Sequence, residues 1–559
     1  MAPSTAPQGA SSQLQDTSAS AKPGGIYQWF SAAEIDSLDA LPAPSVNTAR
    51  TASGYVYSRL LKFKPGVLAP PLGEIEGDLA ESWEIAPDGL QVTLKLRPEA
   101  KFDPRAPTNG RAVDAQDVLF SWKKFSETSS FRGDLFNGAS AASPILSMSA
   151  PDARTVVVKL AFPDALTLPL LASAGHLYIQ PKEADGGFDP KQDARGSGPW
   201  LIESLRRSVG VEFKKNPNWY RKDRPFFDGV SMPIVPEYAQ QLAQFRAGNI
   251  WQGAVRQEDI LSTRKDHPSL IMYSAGTFSQ GPNRIIFGVE RADSPFRDER
   301  VRRAYSLAMD RDLIIDTFAD VSSFEKAGVK KGVRWNTAIP AGWDGAWLDP
   351  RGSDFGPNGK NYEYNVAEAK KLLTAAGHPN GFEYDLHYSV NGFSPTYVRQ
   401  AEIMAGNIEQ AGMRAKLLPE DHQTLFLPKR MRDRGLFTGV SIIASSAAVD
   451  SLAMISAYYH STGGMSTHQP PFEPDPETDR MIEAMRREFD MTKRFKMTQD
   501  FQRSMAGKLR LLLWPGDATT FTLAWPWVGN AGVFNAYGTY GAPAEALIHQ
   551  WFDQSKKKS

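Results

Sequence analysis

The sequence predicts a mixed α/β fold packed as at least two lobes. Three observations carry this. The chain has 559 residues, and a single hydrophobic core stops growing at about 250–300 residues, so a chain this long divides. Segments of strand periodicity alternate along it with segments of helical periodicity, as α/β layers require. No internal repeat of fixed period is visible, which argues against solenoids and propellers.

Residues 1–23 are small and polar (APSTAPQGASSQLQDTSASAK from Ala2 to Lys22), a composition too poor in apolar surface to order itself, and are expected to be a disordered tether. Gly24-Gly25-Ile26-Tyr27 opens a strand. Gly54 to Phe63 places Val56, Leu60 and Phe63 at helical spacing and predicts a helix. From Asp78 to Pro98, apolar-polar alternation on either side of Pro87-Asp88-Gly89 predicts a hairpin with Val92, Leu94 and Leu96 on one face. Asp114 to Phe125 starts acidic and carries Val118, Phe120, Trp122 and Phe125, a helix with an N-terminal cap. Thr155–Leu160 and Val209–Lys215 alternate as strands. Further helices are predicted over Tyr238–Ala247, Arg300–Asp310, Asn365–Ala376, Tyr397–Ala411 and Pro476–Phe489; Gly248, Gly377 and Gly412 stop the first, third and fourth of these.

Composition narrows the function. Lys+Arg and Asp+Glu both number 63, for a net charge of +0, so no global field favours nucleic acid or an anionic membrane. Only Lys556–Lys558 is strongly basic, and residues 553–559 are expected to be a solvated tail. The chain has no cysteine, which removes disulfides, thiolate metal sites and cysteine nucleophiles. No stretch approaches the roughly 20 apolar residues of a membrane span, and no signal-peptide pattern is present.

Five ordered segments resemble the family 5 extracellular solute-binding proteins, which include the dipeptide-, oligopeptide- and nickel-binding receptors of bacterial ABC importers. The first is the Asp78–Pro98 hairpin, followed by Lys101-Phe102 and Ala112 to Val118; Asp103 to Pro107 lengthens the loop between them. The second is Gly196 to Ile250, with GSGPW and NPNWY; the third is SPFRDERVRRAYSLAMDR, Ser294–Arg311; the fourth is Asn365–Ser389; the fifth is Trp525 to Asn530 (WPWVGN).

The resemblance implies an α/β, two-lobed, periplasmic-binding-protein-like fold (a venus flytrap) with two hinge crossings and an extra subdomain inserted in the first lobe. Lobe I would comprise 24–70, 196–285 and 521–552, its inserted subdomain 71–195, and lobe II 286–520. It implies a monomeric, extracytoplasmic protein, periplasmic or lipid-anchored, that binds no nucleic acid and needs no cofactor. It would close on a solute between its lobes and dock on ABC permease subunits. Hinges are expected around Asn283–Phe287 and Phe521–Trp525.

Within that frame Thr48, Arg50 and Thr51 are expected to hydrogen-bond the solute. Phe393, Phe437, Trp525 and Trp527 would offer aromatic faces, and Asn283, Ser445, Ser446, Asp450 and Asn530 polar contacts. Peptide receptors of the family carry "gWxxDxxDP" where this chain has Gly435–Asp450, their first Asp pairing with the peptide's α-amine. Here Ile442 to Ala447 holds only Ser445 and Ser446, and the first acid is Asp450. An unpaired buried ammonium costs several kcal/mol. A peptide or peptide-like solute is expected, with an oligosaccharide as the alternative. A secreted serine hydrolase built on the S-x-x-K of Ser121 and Lys124 is a minor rival, because the companion S-D-N and K-T-G elements are absent. His460 and His468 are the nearest histidine pair for a metal complex.

Overall fold

The computed structural model describes residues 12–35, 37–39, 41–42, 53–289, 291–431, 436–445, 447–466 and 475–557. The chain forms two compact units. The first holds Met1–Gly276, Ala327–Val329 and Thr520–Ser559, and the second Thr277–Lys326 and Lys330–Thr519.

In the first unit one four-stranded sheet runs in the order Ile26–Gln28, Gly229–Pro233, Gly210–Lys215, Trp200–Arg206, the outer pair of Ile26 and Gly229 parallel and the rest antiparallel. A second, antiparallel sheet is built on the predicted hairpin: Ala80–Ile85 pairs Gln91–Leu96, which pairs Thr155–Leu160, then Ile145–Asp152. Val92, Leu94 and Leu96 are buried on one face as the period of two demands. Gly89 turns the hairpin at φ +70°, open to glycine without strain.

The helix Ala115–Thr128 lies over this sheet, and Asp114 begins it with a capping box: its side chain accepts from the amides of Gln116 and Asp117, while the Asp117 carboxylate accepts from the Asp114 amide. Strands Ile271–Tyr273 and Thr522–Ala524 pair antiparallel, so the chain leaves this unit and re-enters it side by side.

Two expectations fail here. Residues 54–63 do not make one helix: a single helical turn covers 53–56, and Leu61–Phe63 is a strand paired with Ile75–Gly77. The whole segment from Ser53 to Phe63 is buried, so its apolar spacing marks enclosure on all sides rather than one helix face. Nor are residues 12–22 a loose tether. Ser12 bonds the backbone of Met272, Ser18–Ser20 forms a 3-10 turn, and Thr17 is held by Asn530 and Trp551.

The second unit is organised on a five-stranded mixed sheet in the order Met413–Glu420, Phe382–Ser389, Val440–Ile443, Arg284–Phe287, Leu511–Leu513. The first three strands are parallel, and Arg284–Phe287 runs antiparallel to both its neighbours. The expected crossing at Asn283–Phe287 is therefore an inner strand of this sheet, and the chain changes unit ahead of it, at Gly276–Thr277. Ile285, Phe287 and Ile442 face the main core with Val301, Tyr305 and Met404, whereas Ile286 and Ile443 face a smaller cluster with Phe426 and Phe437.

Helices Glu299–Leu307, Val366–Ala375 and Pro395–Glu409 belong to this unit. Asp298 and Asn365 cap the first two, and Gly377 and Gly412 follow the last two at φ +89° and +98°. Helix ends capped in this way contribute about 1 kcal/mol each. Among the described residues no helix is long and apolar enough to cross a membrane.

Candidate functional site

In an open α/β sheet, ligand sites lie outside the carboxyl ends of the parallel strands, where loops leave the sheet and backbone groups are free. In the second unit those ends are Glu420, Ser389 and Ile443. The antiparallel strand brings its amino end, Arg284, to the same edge beside Ile443 and Leu513. Asn283, Arg284, Ser445 and Trp514 thus meet at one edge, from three stretches distant in sequence.

On one side of that edge is a pocket of about 240 Å³ whose lining includes Asn283, Phe318, Asn336, Gln400, Trp514 and Asp517. The Trp514 amide donates to the Asn283 carbonyl at 2.7 Å, and the Asn283 Nδ2 donates to Gln400 Oε1 at 2.6 Å. Among the described residues the Asn283 Oδ1 and the Gln400 Nε2 make no hydrogen bond of their own. Asn336 donates to the Trp514 carbonyl at 2.8 Å, and Phe318 and Trp514 meet edge to face with centroids 5.6 Å apart. Asp517 accepts from the amides of Ser279 and Ala518; burial nonetheless raises its carboxyl above the ordinary range.

On the other side of the strand lies Arg284, 2% exposed. Its Nε donates to Ser445 Oγ at 3.0 Å and its Nη1 to the Met465 carbonyl at 3.4 Å, and its guanidinium carbon sits 4.2 Å from the Tyr458 ring centre. Burial lowers its pKa, with no carboxylate among the described residues to oppose the shift.

The residues singled out from sequence divide between the units. Asn283, Phe393, Phe437, Ser445 and Asp450 belong to the second, and Trp525, Trp527 and Asn530 to the first. Thr48, Arg50, Thr51 and Ser446 lie outside the described residues, as does His468. Asn283 and Ser445 stand at the edge just described. Phe393 packs on Tyr397, His422 and Phe426, and Phe437 is buried against Ile286 and Ile443.

Asp450 caps the helix Ser451–Tyr459 through the Leu452 amide at 2.7 Å and pairs with Arg494 at 3.8 Å. Trp525 donates to the Phe245 carbonyl and stacks on Trp527, with centroids 4.6 Å apart. Asn530 is engaged by Thr17, Ser18 and His549.

Sequence reasoning missed Arg284, Gln400, Asn336, Trp514 and Asp517. Of these only Arg284 left a trace, as a cation opening the apolar run Ile285-Ile286-Phe287.

Ser121 is not poised as a nucleophile. It is fully buried, its hydroxyl donating toward the Asp117 and Gln180 carbonyls and accepting from the Gln180 amide. Lys124 pairs with Asp39 at 2.7 Å and bonds Gln180. Among the described residues no three His, Asp or Glu converge to hold a metal.

Residues 74–466 match the profile of the bacterial extracellular solute-binding proteins, family 5. The chain is 26% identical over 410 residues to the heme-binding protein A of Haemophilus influenzae, covering 70% of this chain and 69% of that one. It is 24% identical to the dipeptide-binding protein of Escherichia coli, covering 67% and 68%. Among solved structures, HbpA2 from Haemophilus parasuis superposes with a TM-score of 0.72 at 20% identity, over 95% of this chain and 99% of that one.

Proposed function

Because this chain belongs to the bacterial extracellular solute-binding proteins of family 5, we propose that it captures a peptide or peptide-like solute outside the cytoplasm and delivers it to the permease of an ABC importer. It acts as a monomer and performs no chemistry on what it binds. The observation that supports this best is the pocket in the second unit. Asn283 and Gln400 line it with amides, which match the donors and acceptors of a peptide backbone, and Trp514 and Phe318 supply apolar walls.

Asp517 is the acid available to such a solute. With no carboxylate between Ile442 and Ala447, a solute amine has to find its counter-charge elsewhere or be absent.

The test is a thermal-shift screen against di- to pentapeptides, neutral oligosaccharides and haem, followed by calorimetric titration. A ligand at 100 times its Kd raises stability by about 2.7 kcal/mol, so a peptide hit should shift the transition clearly and titrate one to one. Oligosaccharide hits with no peptide hit would replace peptide by sugar; a hit for haem alone would align the chain with its Haemophilus relative. Solute turnover abolished by Ser121→Ala would overturn the reading.

A further inference from the structure

Several arginines in the second unit are buried, and Arg284 is bonded unlike the others. Arg494 pairs with Asp450, and the partly buried Arg510 with Asp475. Arg311 has no carboxylate in contact among the described residues, but its Nη1 reaches the carbonyls of Ser306, Met309 and Tyr362, and Arg302 similarly reaches those of Phe296, Arg297 and Lys508. These carbonyls replace the lost water. Among the described residues Arg284 has one hydroxyl, one carbonyl at 3.4 Å and the face of Tyr458.

A guanidinium offers five donors, and burying its charge without a counter-ion is costly. Arg284 opens its strand at the edge to which the parallel strands bring their carboxyl ends, and the residue whose carbonyl it touches, Met465, is 45% exposed. Ser445 accepts from Arg284, so its own hydroxyl hydrogen remains to be donated.

We propose that Arg284 and Ser445 anchor a carboxylate carried by the solute. This rests on the solute-binding reading above and narrows its substrate class. A single guanidinium with one neutral hydroxyl balances one negative charge, which fits a carboxylate and falls short of a phosphate dianion. The chemistry is shared by a peptide C-terminus and a sugar acid. A guanidinium held on an inner strand keeps its orientation in advance, so little ordering is lost on binding.

The experiment uses the full chain and two probe sets: di- to pentapeptides as free acids and as C-terminal amides, and uronic-acid oligosaccharides against neutral ones. Dissociation constants are measured for the parent, Arg284→Gln, Arg284→Lys and Ser445→Ala. The acid form should bind the parent about tenfold or more tightly than its uncharged counterpart, as a charge-assisted bond implies.

Arg284→Gln should bring that ratio to about one, with Arg284→Lys and Ser445→Ala intermediate. The unliganded Arg284→Gln protein should melt no lower than the parent, because the charge removed has no counter-charge among the described residues. Preference for peptide acids identifies the C-terminus as the source, and preference for uronic acids the sugar.

An equal affinity of the parent for acid and uncharged forms would overturn the inference while leaving solute binding intact. So would an acid preference that survives Arg284→Gln, or survives Ser445→Ala and Arg284→Lys undiminished should Arg284→Gln not fold. If neither set binds the parent at all, the solute-binding reading and this inference fall together.

Discussion

Asn530 accepts two hydrogen bonds from Thr17, one from its amide and one from its hydroxyl, each 2.7 Å long. The Asn530 Nδ2 donates onward to Ser18 Oγ at 3.0 Å and to the His549 carbonyl at 2.9 Å. The residue sits at φ +61°, a left-handed conformation that asparagine tolerates better than most. A residue expected from sequence to touch solute is thus a clamp on the N-terminal segment of its own unit.

Asn530→Ala should therefore cost about 4 kcal/mol or more in urea unfolding, since four hydrogen bonds worth about 1 kcal/mol each are lost and alanine is strained at positive φ. Trypsin should cut sooner at Lys22, and solute affinity should not change. Asn530→Gly separates the two contributions, because it removes the bonds and relieves the backbone. A variant as stable and as protease-resistant as the parent would show that the clamp is idle.

Ser121→Ala tests a second buried group. The Ser121 hydroxyl is shared among Asp117, Gln180 and the Gln180 amide, so removing it leaves buried partners unmet, at about 1–3 kcal/mol. The expected phenotype is a lower thermal midpoint with unaltered solute affinity and no enzymatic phenotype. An unshifted midpoint would contradict the structural role assigned to it.

How far the sequence reveals this fold depends on where each interaction's partner lies. The Gln91–Leu96 strand and the Ala115–Thr128 helix were legible because their determinants are local: Val92, Leu94 and Leu96 two apart, and Asp114 three residues before Asp117. Gly377 and Gly412 mark helix ends for the same reason. Residues 54–63 misled because burial on every side erases the amphipathic contrast that separates helix from strand.

The docking of Thr17 was invisible because Asn530 lies 513 positions away, and the Arg284–Ser445 contact because its partners are 161 apart. Family motifs carried the fold but not the site, since the groups at the sheet edge are assembled by topology.

Asp475 sets the response to acid. It caps the helix Pro476–Arg487 through the Thr478 amide and hydroxyl, and lies 2.8 Å from Lys508 and 3.2 Å from Arg510. Burial alone would raise its pKa, but these partners outweigh burial and hold it at about 2. A carboxyl whose pKa is lower folded than unfolded, where it is about 3.9, contributes stability in full above pH ~4 and loses it as pH falls through about 2. Asp475→Asn should lower stability at pH 7 by about 1–2 kcal/mol, the worth of a cap, and flatten the acid limb of the unfolding curve between pH ~4 and ~2. Parallel acid limbs for variant and parent would refute the assignment.

Asn283 is where stability and binding should separate. Its carbonyl accepts from the Trp514 amide, its Nδ2 donates to Gln400, and the residue lines the pocket immediately ahead of the strand Arg284–Phe287. Removing the side chain by Asn283→Ala takes one acceptor from the solute and frees Gln400 to rotate, and should weaken affinity for a hit from the peptide screen about tenfold, or ~1.4 kcal/mol. Most of the loss should appear in the off-rate.

Asp450→Asn is the matched contrast. It weakens a helix cap and an ion pair with Arg494, so it should lower the thermal midpoint and leave affinity within about twofold of the parent. Calorimetry and melting curves on the two variants decide the matter. If Asp450→Asn loses the solute while Asn283→Ala keeps it, the binding surface lies in the loop before Ser451 and not in the pocket beside Trp514.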